Sequence, residues 1–185
     1  ITILIIFSET ILVFLFGSDA SDSSFAMKIL CIGFYFASLR SPYKLHSFSI
    51  GKMKIIFLIA CIPLLSNLIL NYFLIPYNFD IFGVINTGSI GASIATTISY
   101  IILFILTVFY ATNLTGVGIY TNLWKHMFAS FTGIIIGHFI SPFFNGLLLI
   151  VVGSVSVIIL FYLVLFLLKE VNEKDLEIVL ESLNP

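Results

Sequence analysis

Long apolar runs separated by short polar stretches dominate the chain. Six of these runs are long enough, or nearly so, to cross the roughly 30 Å hydrocarbon core of a membrane. We call them segments A (1–16), B (25–49), C (53–75), D (90–110), E (123–140) and F (146–168). In lipid, each backbone polar group needs a partner within its own segment, so the runs are expected to be helices. The pattern predicts an all-α, polytopic transmembrane helix bundle of six spans over residues 1–168, followed by a cytoplasmic amphipathic tail over residues 169–185.

Composition supports a membrane protein. Hydrophobic residues make up 60% of the chain and charged residues 9%, and the mean hydropathy is +1.19, far from the mix of soluble domains. The net charge of −1 and the lack of a basic run exclude a nucleic-acid-binding protein. The sequence holds no phosphate-binding glycine loop, no metal-spaced histidine or cysteine cluster and no nucleophile–base signature. We therefore expect no enzyme, no cofactor and no metal.

Basic residues are confined to alternate connections between the segments. Seven of the eight Lys and Arg residues lie in the tail, or within or beside the B–C and D–E connections, namely Arg40, Lys44, Lys52, Lys54, Lys125, Lys169 and Lys174. The other connections hold none. Because cytoplasmic connections are enriched in Lys and Arg, this asymmetry predicts a multi-pass protein of the cell membrane whose two ends both face the cytoplasm. The exception, Lys28, lies near the outer end of segment B, from which its amine can reach the interface.

Segments C and D carry the residues expected for a closely packed helical hairpin. Asn67 and Asn71 are four residues apart in segment C, so both amides lie on one face of the helix. Segment D opens with Gly91, Ala95 and Ser99 at four-residue spacing, a pattern that lets two backbones approach closely in a membrane. We expect the asparagines to dock on this small face as interhelical packing groups rather than as ligand groups.

Segments E and F are expected to form a second close hairpin. Small residues line one side of segment E at four-residue spacing, namely Ala129, Gly133, Gly137 and Ser141. Gly146 and Gly153 of segment F are candidates for the opposing surface. Faces of this kind are usually packing surfaces, so we expect stability rather than chemistry from this pair.

The C–D region carries a family resemblance. The first pattern is N-x-x-x-N-x-x-x-x-P, formed by Asn67, Asn71 and Pro76. After a loop, residues 91–96 give the second pattern, G-[AS]-[AS]-x-A-T. Before both of them, residues 51–54 read Gly-Lys-x-Lys. This pattern resembles the C-terminal half of polysaccharide flippases of the multidrug/oligosaccharidyl-lipid/polysaccharide (MOP) exporter superfamily. Gly91, Ala95 and Thr96 stand at motif positions. Thr96, Thr97 and Ser99 are the expected partners of the asparagines, or else they bond back to the backbone of their own helix.

The resemblance implies a fold and an activity. It implies the C-terminal lobe of a MATE-like MOP transporter, which flips a lipid-linked oligosaccharide or polysaccharide precursor across the cytoplasmic membrane by alternating access. Because the family's chains are much longer and this one begins in mid-helix at Ile1, we expect it to be a C-terminal portion. The partners implied are membrane lipid, the lipid-linked oligosaccharide and the N-terminal half of the transporter.

Arg40 and Lys44 are the candidate substrate-binding residues. If segment B ends near Leu39, both are ordinary cytoplasmic loop charges. If the helix continues through Pro42, they share one face in the inner half of the bundle. There they would meet the diphosphate of the lipid carrier, for which the two-pronged donor geometry of arginine is suited. The sequence leaves both alternatives open.

Glu9 is the candidate ion-coupling residue. It lies about seven residues inside the outer end of segment A, which is roughly 10 Å at the rise of an α-helix. A carboxyl group at that depth could bind a proton or Na⁺, or could be a protonated or paired acid facing another helix. A coupling role would favour the first alternative function, a multidrug and toxin extrusion cation antiporter of the same superfamily. An alternative of another class is a small membrane scaffold or assembly subunit that does not transport.

Overall fold

A computed structural model describes residues 1–76, 80–81, 84–85, 88–116, 118, 122–140 and 146–170. The chain forms two compact units. One consists of residues 15–119, and the other combines residues 2–14 with the described part of residues 120–185. The tail beyond residue 170, and Ser141 of the small-residue face, lie outside the described residues.

The described residues are almost entirely helical. The α-helices are α1 (Thr2–Ile6), α2 (Ser8–Phe16), α3 (Ser24–Leu39), α4 (Ser41–Ser49), α5 (Met53–Leu74), α6 (Ser89–Thr115), α7 (Leu123–Ile140) and α8 (Gly146–Leu167). A 3₁₀-helix covers Ser18–Ser23. The connection between α5 and α6 contains two antiparallel two-residue strands, β1 (Asp80–Ile81) and β2 (Val84–Ile85). This short β-hairpin was not predicted from the sequence.

Three of the described helices are long and apolar enough to cross a membrane. They are Met53–Leu74, Ser89–Asn113 of α6 and Ile150–Leu167 of α8. The predicted helical membrane protein is therefore confirmed in its coarse form. The six-span count stays a prediction, because segment A is divided into α1 and α2 and segment B into α3 and α4.

The division of segment B does not end its helix. Arg40, between α3 and α4, keeps helical backbone angles of φ −68° and ψ −28°. Its amide donates to the Phe36 carbonyl, and its own carbonyl accepts from the Lys44 amide, both at 3.1 Å. Pro42 lies in the first turn of α4 and removes one backbone hydrogen bond, but the bonds on either side of it are kept. Helical structure therefore runs from Ser24 to Ser49, as in the longer of the two alternatives considered for segment B.

In the unit of residues 15–119, α6 packs against α3, α4 and α5. Its contact with α3 is close, because a Cβ atom on Gly33 would lie only 3.0 Å from the Thr97 Cα atom. The Thr97 hydroxyl also donates a hydrogen bond of 2.9 Å across the interface to the Ile29 carbonyl. Helix α6 is thus held on one side by α3 and on another by α5.

In the other unit, α1 packs with α7 and α8. The small face of α7 meets both neighbours, since a Cβ atom on Gly133 would lie 3.4 Å from both Thr2 and Val157. Gly137 faces Ile6 of α1. Gly153 of α8, expected to oppose α7, is instead closest to Phe7. The close-packed surface predicted for two helices is therefore shared by three.

Candidate functional site

The two asparagines of α5 form a polar ladder toward α6. Asn71 Nδ2 donates to Asn67 Oδ1 at 2.9 Å, and Asn67 Nδ2 donates to Thr96 Oγ1 at 3.4 Å. Thr96 Oγ1 in turn donates to the Ala92 carbonyl of its own helix at 2.9 Å. The four-residue spacing of the asparagines creates the first step, because such residues are neighbours on one helix face. The ladder gives both amide nitrogens a partner in an otherwise apolar hairpin, as the membrane requires. The Asn71 Oδ1 atom is buried without a partner among the described residues.

The small residues of α6 allow this approach. A Cβ atom on Gly91 would overlap the Leu74 carbonyl oxygen and lie 2.7 Å from its carbon. Ala95, one turn further, has no exposed surface, and Ser99 is also buried. Of the five residues expected at the interhelical packing site, Asn67, Asn71 and Thr96 are joined by hydrogen bonds, Gly91 lies against the end of α5, and Ala95 is buried.

Arg40 and Lys44 line one groove at the junction of α4 and α5. This α4–α5 groove has a volume of about 720 Å³. Its described lining residues are Arg40, Lys44, Phe48, Met53, Lys54, Ile56, Phe57, Leu58 and Ala60. Three cations therefore stand beside an otherwise apolar wall. The continuous helix explains why Arg40 and Lys44 meet here, since residues one turn apart share a face.

The cations of the groove differ in their surroundings. Arg40 is partly buried, and its Nε atom is buried without a hydrogen-bond partner among the described residues. The Lys44 amine lies 5.3 Å from the centre of the Phe48 ring, within the range of a cation–π contact. Lys54 is exposed in the first turn of α5. Buried polar groups in proteins nearly always have a partner, so the unpartnered Arg40 Nε donor is an exception among the described residues.

Glu9 is distant from these residues in the sequence and belongs to the other compact unit. It is an exposed residue in the first turn of α2. Its neighbour Ser8 is buried and donates to the Ile5 carbonyl at 3.3 Å. No hydrogen bond or ion pair joins the Glu9 carboxyl group to another described residue. Glu9 is not among the described residues that line the α4–α5 groove.

Two features of functional interest were missed from the sequence. The first is Lys54, which the sequence marks as a cytoplasmic charge and as part of the Gly-Lys-x-Lys stretch, while neither feature assigns it to a groove with Arg40. The second is an ion pair at 2.7 Å between Lys125 of α7 and Glu170 just beyond α8, with His126 Nε2 3.9 Å from the same carboxylate. The only sequence signal for this pair was the position of Lys125 and Glu170 at adjacent ends of two apolar segments.

Comparison with protein-family models, with curated proteins and with solved structures gives no match for this chain.

Proposed function

We propose that this chain is the C-terminal part of a membrane transporter that flips a lipid-linked oligosaccharide across the cytoplasmic membrane by alternating access. One observation carries the proposal. The helix continues through Arg40, so Arg40 and Lys44 lie one turn apart and line a single groove. The polar ladder from Asn71 to Thr96 adds support, because these are motif residues of the flippases that the sequence resembles.

The chemistry of the groove suits a diphosphate. Arg40 offers several N–H donors in a fixed plane and can contact two phosphate oxygens at once. Lys44 adds a second positive charge on the same helix face. In this mechanism the diphosphate enters from the cytoplasm, binds at Arg40 and Lys44, and is carried outward when the two halves of the transporter rock about it. The sugar needs no contact with these cations.

The proposal is tested by flipping of a diphosphate-linked glycan in proteoliposomes of the complete transporter. Arg40→Ala should lower the flipping rate about ten- to hundred-fold, since hydrogen bonds to charged groups contribute about 1.5–3 kcal/mol. Lys44→Ala should lower it as well, and to a lesser extent. Arg40→Lys should restore part of the rate, because lysine supplies the charge without the two-pronged geometry.

The matched control is Lys52→Ala. Lys52 is an exposed cation at the start of α5 that is not among the described residues lining the groove. Its removal changes the net charge equally and should leave the rate within a factor of two. Normal expression of Arg40→Ala and Lys44→Ala with flipping at the wild-type rate would refute a diphosphate site at these residues.

Glu9 supports the second candidate function, a cation antiporter. The observation in its favour is an exposed carboxyl group without a partner among the described residues, in a helix with no other charged residue. In an antiporter, Glu9→Gln should abolish the dependence of transport on an imposed proton or sodium gradient, while Arg40→Ala should have little effect. The opposite pattern favours the flippase.

The orientation of the chain gives a further prediction. The Lys and Arg asymmetry places the 3₁₀-helix outside and the turn after α4 inside. Ser23 and Ser49 are exposed at these two places. In a Cys31→Ala, Cys61→Ala background, Ser23→Cys and Ser49→Cys should react with an impermeant maleimide from opposite sides of the membrane. The cysteine-free parent is the control, and reaction of both variants from one side would refute the proposed orientation.

A further inference from the structure

We infer that the α4–α5 groove binds an anionic phospholipid of the cytoplasmic leaflet. Its phosphate would lie among Arg40, Lys44 and Lys54, and one acyl chain would lie along the apolar wall of α5. The inference is independent of the proposed function, because it requires only a membrane and a phosphate headgroup. It assigns a ligand to Lys54 and to the apolar part of the groove, which the diphosphate site does not use.

The charges of the groove fit the headgroup. Three cations line it, and no carboxylate is found among its described lining residues. Arg40 lines the groove, where its guanidinium group can donate to phosphate oxygens. Lys54 also lies in the first turn of α5, where the free backbone N–H groups and the helix dipole favour an anion. A phosphodiester carries the opposite charge to this cluster.

The apolar wall fits an acyl chain. Ile56 is buried and forms part of the floor, while Met53, Phe57 and Leu58 expose 61%, 70% and 63% of their surfaces. From Met53 to Ala60 the wall extends about 10 Å along α5, at 1.5 Å per residue. A free phosphate ion would gain nothing from this surface, whereas the chain of a lipid would cover it. The combination of charge and apolar surface is therefore specific for an amphiphile.

The location of the groove selects the phospholipid. The same cations that mark the side as cytoplasmic face a leaflet whose anionic lipids attract Lys and Arg side chains. A polyprenyl diphosphate has a similar plan of head and chain, so it would compete for Arg40 and Lys44. A resident phospholipid would then have to leave before the proposed substrate binds.

The test measures phospholipid binding to the purified full chain in neutral detergent, with no glycan present. Phosphatidylglycerol and phosphatidylcholine of equal chain length are titrated, and bound lipid is counted by native mass spectrometry. One phosphatidylglycerol should bind at least ten-fold more tightly than phosphatidylcholine. Lys54→Ala should weaken it about five-fold, from the contribution of one basic residue near an anionic headgroup. The matched control Lys52→Ala should stay within a factor of two.

A second pair of variants tests the acyl chain. Leu58→Asn changes the groove wall, and Leu64→Asn changes an equally exposed position of α5 that is not among the described lining residues. Only Leu58→Asn should weaken phosphatidylglycerol binding, with thermal stability of both variants confirming that they fold. Equal effects of Lys52→Ala and Lys54→Ala, equal binding of the two lipids, or displacement by millimolar inorganic phosphate would each overturn the inference. Flipping can fail in any of these proteins without affecting this result.

Discussion

Replacing Gly91 with alanine should destabilise the α5–α6 hairpin strongly. The added Cβ atom would overlap the Leu74 carbonyl oxygen and lie 2.7 Å from its carbon and 3.1 Å from the Ile75 nitrogen. All three are backbone atoms, so no side chain can rotate away and the helices must separate. Separation also breaks the 3.4 Å bond between Asn67 and Thr96. We expect a loss of about 3 kcal/mol in the free energy of unfolding in detergent, at the upper end for overpacking.

The control for this change is Gly118→Ala. Among the described residues, no atom lies within 4 Å of the position of a Cβ atom on Gly118. Gly118→Ala should therefore lower the free energy of unfolding by no more than about 0.5 kcal/mol, as surface substitutions away from special features do. Equal unfolding free energies for the Gly91 and Gly118 variants would show that the close approach of α5 and α6 does not stabilise the protein.

The hairpin was the part of the fold most accessible from the sequence. Helical periodicity alone places Asn67 and Asn71 on one face, and the small residues of α6 indicate a close neighbour. The pattern does not predict how closely the two helices approach, which is close enough for Gly91 to contact the Leu74 backbone. That distance depends on how α5 and α6 cross, which spacing along each helix does not determine.

The interface between α3 and α6 was not predictable for a related reason. The part of segment B that forms α3 is apolar on most sides, with Lys28 as its one charged residue, so its sequence does not fix which face turns toward a neighbour. The hydrogen bond from Thr97 to the Ile29 carbonyl depends on that rotation. Most Thr hydroxyls in such helices bond to their own backbone, as Thr107 does to Leu103. Nothing in the sequence distinguishes Thr97 from Thr107.

The groove was predictable in part. The four-residue spacing of Arg40 and Lys44 predicts a shared face if the helix continues. Pro42, however, is equally compatible with a new helix that starts there. The hydrogen bonds around Arg40 decide for continuation. Lys54 joins the other two cations only because the chain turns back between α4 and α5. A turn at Gly51, which has a positive φ of 74°, makes this reversal possible.

The second large effect is expected at Phe7, between α1 and α2. Its ring is 1% exposed, and a Cβ atom on Gly153 would overlap its Cζ atom and lie 3.0 Å from Cε1. The ring therefore occupies the space that the glycine leaves on α8. In a membrane, lipid is as apolar as the protein interior, so transfer from water contributes little to this contact. Phe7→Ala therefore costs stability mainly through the loss of packing contacts and through the cavity that it leaves.

We expect Phe7→Ala to lower the free energy of unfolding by about 2–3 kcal/mol, less than the 3–5 kcal/mol typical of water-soluble cores. Phe14→Ala, at a ring that is 55% exposed in the same unit, should cost less than about 0.5 kcal/mol. A double-mutant cycle sharpens the test. Gly153→Ala should be destabilising beside the intact ring and nearly neutral in the Phe7→Ala background, because the alanine methyl then enters the empty space. Additive effects of the two substitutions would contradict a direct contact between Phe7 and Gly153.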